Sequence, residues 1–132
     1  MVAEGCMEGV DEVYGFHNWP TELSGKLWVM PGPVMSSIVI LKIDIIGTMG
    51  HGSEPEKVKD CIRAAVKVYE SINSYIDEVR KENPTFVCTL PVFQAGSRYN
   101  VFGEKAHLEG TIRSYDIELS RKVVLRLEEL TK

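Results

Sequence analysis

Residues Val34–Ile46, VMSSIVILKIDII, decide the fold class of this chain. β-Branched residues dominate the stretch, and from Leu41 to Ile45 apolar side chains alternate with the charged Lys42 and Asp44. An alternation with a period of two is typical of a strand that has one buried face and one exposed face. The stretch therefore predicts a half-buried strand.

A long helix is predicted to follow this strand. Ser53 and Glu56 have the spacing of a capping box, and Pro55 suits a first turn, so we expect the helix to begin there. Asn83-Pro84 ends the pattern. Between these points apolar residues recur every three or four positions on one face: Val58, Ile62, Ala65, Val66, Tyr69, Ile72, Ile76 and Val79.

Two further strands and a second helix complete the pattern. Thr85–Phe93 suits an edge strand, because Pro91 cannot donate to a hydrogen-bond ladder. Lys105–Tyr115 alternates again, with Arg113 on its polar face, and Leu119–Leu130 has a helical period. The order β-α-β-β-α predicts an α+β domain, a ferredoxin-like split βαβ arrangement that lacks its last strand.

The best candidate for a domain boundary is the breaker Pro31-Gly32-Pro33. We predict two regions, residues 1–33 and residues 34–132. The first region contains two apolar extended pieces, Val13–Phe16 and Lys26–Met30, with His17 at the end of the first. It has too few apolar residues for a core of its own, so we interpret it as the tail of another domain.

Composition excludes several classes of protein. A hydrophobic fraction of 44% and a charged fraction of 26% are ordinary for a globular protein. A net charge of −4 argues against a general affinity for nucleic acid, which requires a basic face. No apolar run could span a bilayer, and the first residues do not resemble a secretory signal. We expect no nucleic-acid or membrane partner.

The cysteines, Cys6, Cys61 and Cys88, are odd in number, and their spacing matches neither a metal pair nor a disulfide framework. We interpret them as reduced thiols, which suggests a reducing compartment and a cytoplasmic protein.

Four polar residues are candidates for a site. Glycines flank His51 on both sides, so the backbone there can turn tightly and approach a ligand, but an exposed histidine in a flexible turn has the same pattern. A lone histidine such as His17 is often structural. Asn100 and Arg113 could bind a carboxylate or amide, or could be a turn residue and a solvated charge.

Three blocks of the chain resemble, in the same order, blocks of a zinc-dependent amidohydrolase family that includes aminoacylases, hippurate hydrolases, auxin-conjugate hydrolases and related carboxypeptidases. The blocks are VDEVYGFHNWP at Val10–Pro20, GTMGHGSEP at Gly47–Pro55 and NVFGEKAHLEGTIR at Asn100–Arg113.

The resemblance implies a role for each candidate residue. His17 would be a metal ligand, and His51 would reach into the partner subunit's active site and stabilise a tetrahedral oxyanion. Asn100 would contact the substrate's amide or carbonyl group, and Arg113 would bind its carboxylate. We predict that His51, Asn100 and Arg113 lie near one cleft, on the same side of the sheet edge and away from the helices.

The resemblance also implies an architecture and an activity. Residues 34–132 would be a lid or dimerisation domain, and residues 1–33 a short piece of a catalytic domain. The full-length enzyme would bind zinc or another divalent metal, form a homodimer through the lid, and hydrolyse N-acyl amino acids or similar carboxylate-terminated amides. We expect no stably bound metal in this chain alone, because His17 is its one assigned ligand. The alternative is a non-catalytic ferredoxin-like module for dimerisation or small-molecule binding.

Overall fold

The computed structural model describes all residues from Met1 to Lys132, and the chain divides into two compact units, Met1–Pro31 and Gly32–Lys132. The first unit contains a single short 3-10 turn, Val2–Glu4, which ends at Gly5 with a φ of 82°. Glycine suits this position because a positive φ strains other residues.

The two extended pieces of the first unit do not form strands. Val13–Phe16 and Lys26–Met30 have no regular structure, and their large side chains are exposed, Tyr14 at 87% and Trp28 at 71%. A strand needs a partner for its backbone groups, and this unit offers none. His17 therefore does not lie at the end of a strand.

The second unit holds all the remaining regular structure. Its elements are β1 (Ser37–Ile46), β2 (Gly50–His51), a 3-10 turn (Pro55–Lys57), α1 (Cys61–Glu82), β3 (Val87–Ala95), β4 (Val101–Phe102), β5 (Lys105–Ser114) and α2 (Ile117–Leu130). The long strands form an antiparallel sheet in the order β1-β5-β3, and β2 pairs with β4 in a small second sheet. The predicted α+β order is confirmed, but the short strands β2 and β4 were not predicted.

The central strand β5 shows the predicted alternation at every position. Its residues Ala106, Leu108 and Ile112 are fully buried and Gly110 is buried, whereas the alternate residues His107, Glu109 and Thr111 are half-buried. On β3, the register shifts between Thr89 and Val92, around Pro91. β3 lies at the edge of the sheet, as its proline predicted. Pro91 has no N–H to donate, and this is tolerated because the hydrogen-bond ladder is interrupted at that point.

The core lies between the sheet and the two helices. Side chains from one face of the sheet pack against one face of each helix, which buries the apolar surface that stabilises the domain. The largest fully buried side chains are Phe86, Ile72, Leu108, Ile112, Val123 and Cys61.

The start of α1 differs from the prediction. The helix begins at Cys61, eight residues after Ser53, and its N-cap is Asp60, whose carboxylate accepts hydrogen bonds from the backbone N–H groups of Ile62 and Arg63 at 2.9 and 3.1 Å. Residues Pro55–Lys57 form the separate 3-10 turn instead. The helix ends at Glu82 with Asn83 as its C-cap, as predicted.

Candidate functional site

The small β2–β4 sheet holds His51 beside Asn100. His51 pairs with Val101, and the backbone N–H of Gly52 donates a hydrogen bond to the Asn100 carbonyl oxygen at 2.8 Å. A Cβ on Gly52 would lie only 3.1 Å from that oxygen, so glycine allows the close approach. Two candidate residues that are far apart in the sequence are therefore neighbours at the end of the main sheet.

The imidazole ring of His51 is restrained on one side only. Its Nδ1 lies 2.8 Å from the Ser53 hydroxyl and 3.3 Å from the Ser53 backbone nitrogen. Its Nε2 has no hydrogen-bond partner in the chain. Both His51 and Asn100 are exposed. At this end of the domain the Nε2 atom of His51 and the amide side chain of Asn100 are therefore accessible to a ligand.

Arg113 lies on the open face of the sheet, opposite the helices. It pairs with Ile38 on β1 and with Val87 on β3, and both of these apolar neighbours are exposed, at 54% and 40%. Arg113 forms no salt bridge within the chain. An unpaired guanidinium between two apolar side chains is suited to bind a carboxylate attached to an apolar group.

The other charged groups of this face neutralise one another. Asp44 contacts His107 at 2.6 Å and Lys105 at 3.0 Å, and Glu109 contacts Lys42 at 3.7 Å. Arg113 therefore differs from Lys42 and Lys105 on the same face, because it has no carboxylate partner.

Arg113 does not share a cleft with His51 and Asn100, so that prediction is wrong for a single copy of the chain. Arg113 is eight positions along β5 from Lys105, which pairs with Ile46 just before the β2–β4 sheet begins. At a rise of ~3.4 Å per residue this separation is about 27 Å along the strand. The alternating pattern predicted the face on which Arg113 lies, but the distance depends on how the strands pair.

His107 belongs to a charge cluster that was not recognised in the sequence. Its Nδ1 faces Asp44 at 2.6 Å and its Nε2 faces Glu109 at 3.4 Å. Hydrogen bonds with Asp44 and then Glu109 raise the pKa of His107, and the hydrogen bond from His107, with that from Lys105, lowers the pKa of Asp44. The carboxylates lie on opposite sides of the ring, so the three groups do not converge as metal ligands would. The register that places Asp44 opposite His107 could have revealed the pair.

His17 is the remaining candidate. It is exposed in the first unit, and its ring lies 5.2 Å from the ring of Trp19 at an angle of 51°. The chain contains no group of three histidine, cysteine or acidic side chains that could hold a metal ion. Since a catalytic zinc site takes three protein ligands, His17 can supply only one part of such a site.

The cysteines are separate thiols. Cys6 is exposed, whereas Cys61 and Cys88 are buried. Burial raises the pKa of the Cys88 thiol to about 11, which makes it a poor nucleophile or ligand.

Residues 36–132 match a family model described as the peptidase dimerisation domain. The chain belongs to this family. Neither helix of the peptidase dimerisation domain is long and apolar enough to cross a membrane.

Curated relatives extend the similarity over the whole chain. An N-acyl-L-amino acid amidohydrolase from Geobacillus stearothermophilus is 32% identical over 132 residues, covering 100% of this chain and 36% of that protein. A hippurate hydrolase from Campylobacter jejuni is 29% identical over 134 residues, covering 100% of this chain and 35% of that protein. The chain thus spans about a third of the length of these relatives.

A solved structure also matches nearly the whole chain and about a third of its own length. The crystal structure of a protein from methicillin-resistant Staphylococcus aureus, described as an aminohydrolase, has a TM-score of 0.79 and 27% identity. The match covers 98% of this chain and 34% of that protein. The peptidase dimerisation domain and the segment before it therefore correspond together to one part of a longer protein of known structure.

Proposed function

We propose that this chain contributes the lid domain and a short catalytic-domain segment of a metal-dependent amidohydrolase that cleaves N-acyl amino acids. Two features support the proposal: the family of residues 36–132, and relatives that include an N-acyl-L-amino acid amidohydrolase. The observation that carries it is the contact between Gly52 and Asn100, which holds His51 and Asn100 side by side.

His51 and Asn100 would act on the scissile amide. Hydrolysis of an amide passes through a tetrahedral intermediate whose oxygen carries negative charge, and preorganised donors lower the free energy of that state. The free Nε2 of His51 would be such a donor. The amide side chain of Asn100 would donate to or accept from the acyl group, since it has both kinds of atom.

Arg113 would bind the carboxylate end of the substrate. Its guanidinium has no competing ion pair, and a planar fork can grip both carboxylate oxygens.

The metal would be zinc or another divalent ion, bound by His17 together with ligands outside these residues. A divalent ion there would activate the attacking water. This chain can provide one imidazole to that centre, and the remaining ligands and the general base would come from elsewhere in the enzyme.

The active enzyme would be a homodimer. About 27 Å along β5 separates Arg113 from the end of the sheet that carries His51, which is longer than a small N-acyl amino acid. In one copy the two groups cannot hold the same substrate. In a two-fold dimer, Arg113 of one copy and His51 with Asn100 of the other could complete one site.

Mixing two inactive variants of the complete enzyme tests this arrangement. His51→Ala and Arg113→Ala should each abolish most hydrolysis of an N-acetyl amino acid as homodimers. When the two are refolded together in equal amounts, random pairing should restore roughly a quarter of the wild-type rate, because half the dimers are mixed and each has one intact site. Mixing separately folded proteins without subunit exchange is the control.

Absence of any recovery, with mixed dimers demonstrated by mass, would show that His51 and Arg113 of the same copy act in one site, or that they act in no site. Full activity of the His51→Ala homodimer would refute the proposed role of His51 itself.

A further inference from the structure

Ser53 places two hydrogen-bond donors against one nitrogen of His51. Its backbone nitrogen lies 3.3 Å from His51 Nδ1 with the N–H directed at the ring, and its hydroxyl oxygen lies 2.8 Å from the same atom. Ser53 makes no other side-chain hydrogen bond.

The two contacts with Ser53 together favour protonation of one nitrogen of the ring. A backbone N–H can only donate, so His51 Nδ1 must present its lone pair. In a neutral imidazole one nitrogen donates and the other accepts, and a partner at one nitrogen selects the tautomer. The hydrogen of neutral His51 therefore belongs on Nε2, and the Ser53 hydroxyl, which can rotate, donates to Nδ1 as well.

The backbone that follows the His51 ring is also held. The backbone N–H of Glu54 donates to the His51 carbonyl oxygen at 3.0 Å, which closes a turn over residues 51–54. The N–H of Gly52 is bound to Asn100 at 2.8 Å. The position of the ring and its tautomer are therefore set before any ligand arrives.

The other two histidines lack this arrangement. Both ring nitrogens of His107 face carboxylates. His17 has only an aromatic neighbour, Trp19. Among the three, His51 alone has one nitrogen occupied by donors and the other free.

We propose that Ser53 is a positioning residue that holds His51 in the Nε2–H tautomer, so that His51 acts as a hydrogen-bond donor and not as a general base. The proposal rests on the proposed function for the identity of the acceptor, the oxyanion of a cleaved amide. The tautomer itself is a property of this chain alone. A neutral donor fixed in place needs no rearrangement when charge develops on the substrate.

The test is a nitrogen-resolved NMR measurement of the His51 ring in the 132-residue chain. At about pH 8.5 an ordinary histidine is neutral, and the shifts of the two ring nitrogens report the tautomer ratio. The variants are Ser53→Ala, which removes the hydroxyl, and Ser53→Thr, which retains it. Ser71→Ala is the control, since Ser71 is an exposed serine on α1. Ser53 is exposed as well, so the two serines are matched in exposure. The amide spectrum of each variant verifies that it folds.

The expected result is an Nε2–H form that dominates in the wild type and in Ser53→Thr. In Ser53→Ala the backbone N–H of residue 53 remains and keeps the Nε2–H form favoured. Loss of the hydroxyl that also donates to Nδ1 should shift the ratio of the tautomers toward Nδ1–H by about 2- to 10-fold, as expected when one hydrogen bond of ordinary net strength is lost. Ser71→Ala should leave the ratio unchanged. A dominant Nδ1–H form in the wild type, or an unchanged ratio in Ser53→Ala, would overturn the proposal.

Kinetics of the complete enzyme separate this inference from the proposed function. Ser53→Ala should lower kcat for an N-acetyl amino acid and leave KM almost unchanged, because the donor matters most in the transition state. If His51→Ala retains full activity, the proposed function fails and the tautomer result still stands. If the tautomer of Ser53→Ala is unchanged, the positioning role fails and the proposed function is unaffected.

Discussion

Thr48 and Lys59 exchange two hydrogen bonds across the segment that joins β1 to α1. The Lys59 backbone N–H donates to the Thr48 hydroxyl at 2.6 Å, and the Thr48 N–H donates to the Lys59 carbonyl oxygen at 3.0 Å. These bonds hold the backbone before Asp60 extended, as the φ of −122° and ψ of 152° at Val58 show. A helix therefore cannot run through from Ser53, and Asp60 becomes its N-cap.

Replacing Asp60 with alanine should destabilise the domain by about 1 kcal/mol, because two backbone N–H groups of α1 lose their acceptor. Urea unfolding followed by circular dichroism measures the change. Glu56→Ala is the matched control, since Glu56 has the spacing of a capping box but lies in the 3-10 turn and should have almost no effect. A larger loss for Glu56→Ala than for Asp60→Ala would contradict the observed helix start.

The Asp44–His107 pair should make stability depend on pH. The pKa of His107 is raised, so its contribution is complete below the unfolded value of ~6.5 and is lost as pH rises through the folded pKa. The pKa of Asp44 is lowered, so its contribution is complete above ~3.9 and is lost as pH falls through the folded pKa. Both contributions are present together between these two limits.

The measurement is the melting temperature of His107→Gln against wild type. The difference should be larger at about pH 5.5 than at about pH 8.5, because the contribution of His107 declines as the pH rises through its raised pKa. Gln94→Ala is the control, because Gln94 is the uncharged β3 neighbour of His107 and should give the same difference at both pH values. If His107→Gln changed the melting temperature equally at both pH values, the Asp44–His107 pair would not be the cause of the pH dependence.

Removing the Arg113 guanidinium should affect binding and not folding. Arg113 is exposed and unpaired, so Arg113→Ala should change the free energy of unfolding by less than about 0.5 kcal/mol. In the complete enzyme the loss of a charged hydrogen bond should lower kcat/KM about 10- to 100-fold, with Arg113→Lys intermediate. The carboxamide analogue of the substrate should show little difference between wild type and variant. A comparable loss with that analogue would exclude carboxylate recognition.

The uncovered edge of β1 should make this chain associate with itself. β1 pairs with β5 on one side only, so its other edge exposes unpaired backbone groups. We expect a dimer by light scattering at about 100 µM, well above a typical micromolar dissociation constant. Ile40→Lys should weaken it, because a lysine on an edge strand opposes pairing.

Leu125→Lys is the matched control for this experiment. Leu125 is 62% exposed on α2, and Ile40 is 63% exposed on β1, so both changes add the same charge at equal exposure. A strict monomer in the wild type would count against association through β1 and would weaken the proposal that His51 acts on a neighbouring subunit.

The sequence by itself determined the fold class and the face of the sheet on which Arg113 lies. The alternation in Val34–Ile46 and Lys105–Tyr115 and the helical period up to Val79 are local patterns, each repeated over several residues. Such patterns follow from the geometry of a single strand or helix, and they survive in the tertiary structure because they bury one apolar face. Pro91 marked an edge strand for an equally local reason, its missing N–H.

The tertiary structure alone decided where α1 begins, how far Arg113 lies from His51, and which donors contact the His51 ring. The first two depend on hydrogen bonds between distant residues, such as Thr48 with Lys59 and the pairs that join β1 to β5. Ser53 shows the difference most directly, since its capping-box spacing predicted a helix start but its hydroxyl contacts His51 instead. The spacing rule for helix caps does not foresee this outcome, because the pairing of β2 with β4 and the Gly52–Asn100 hydrogen bond hold the residues before Ser53 outside any helix.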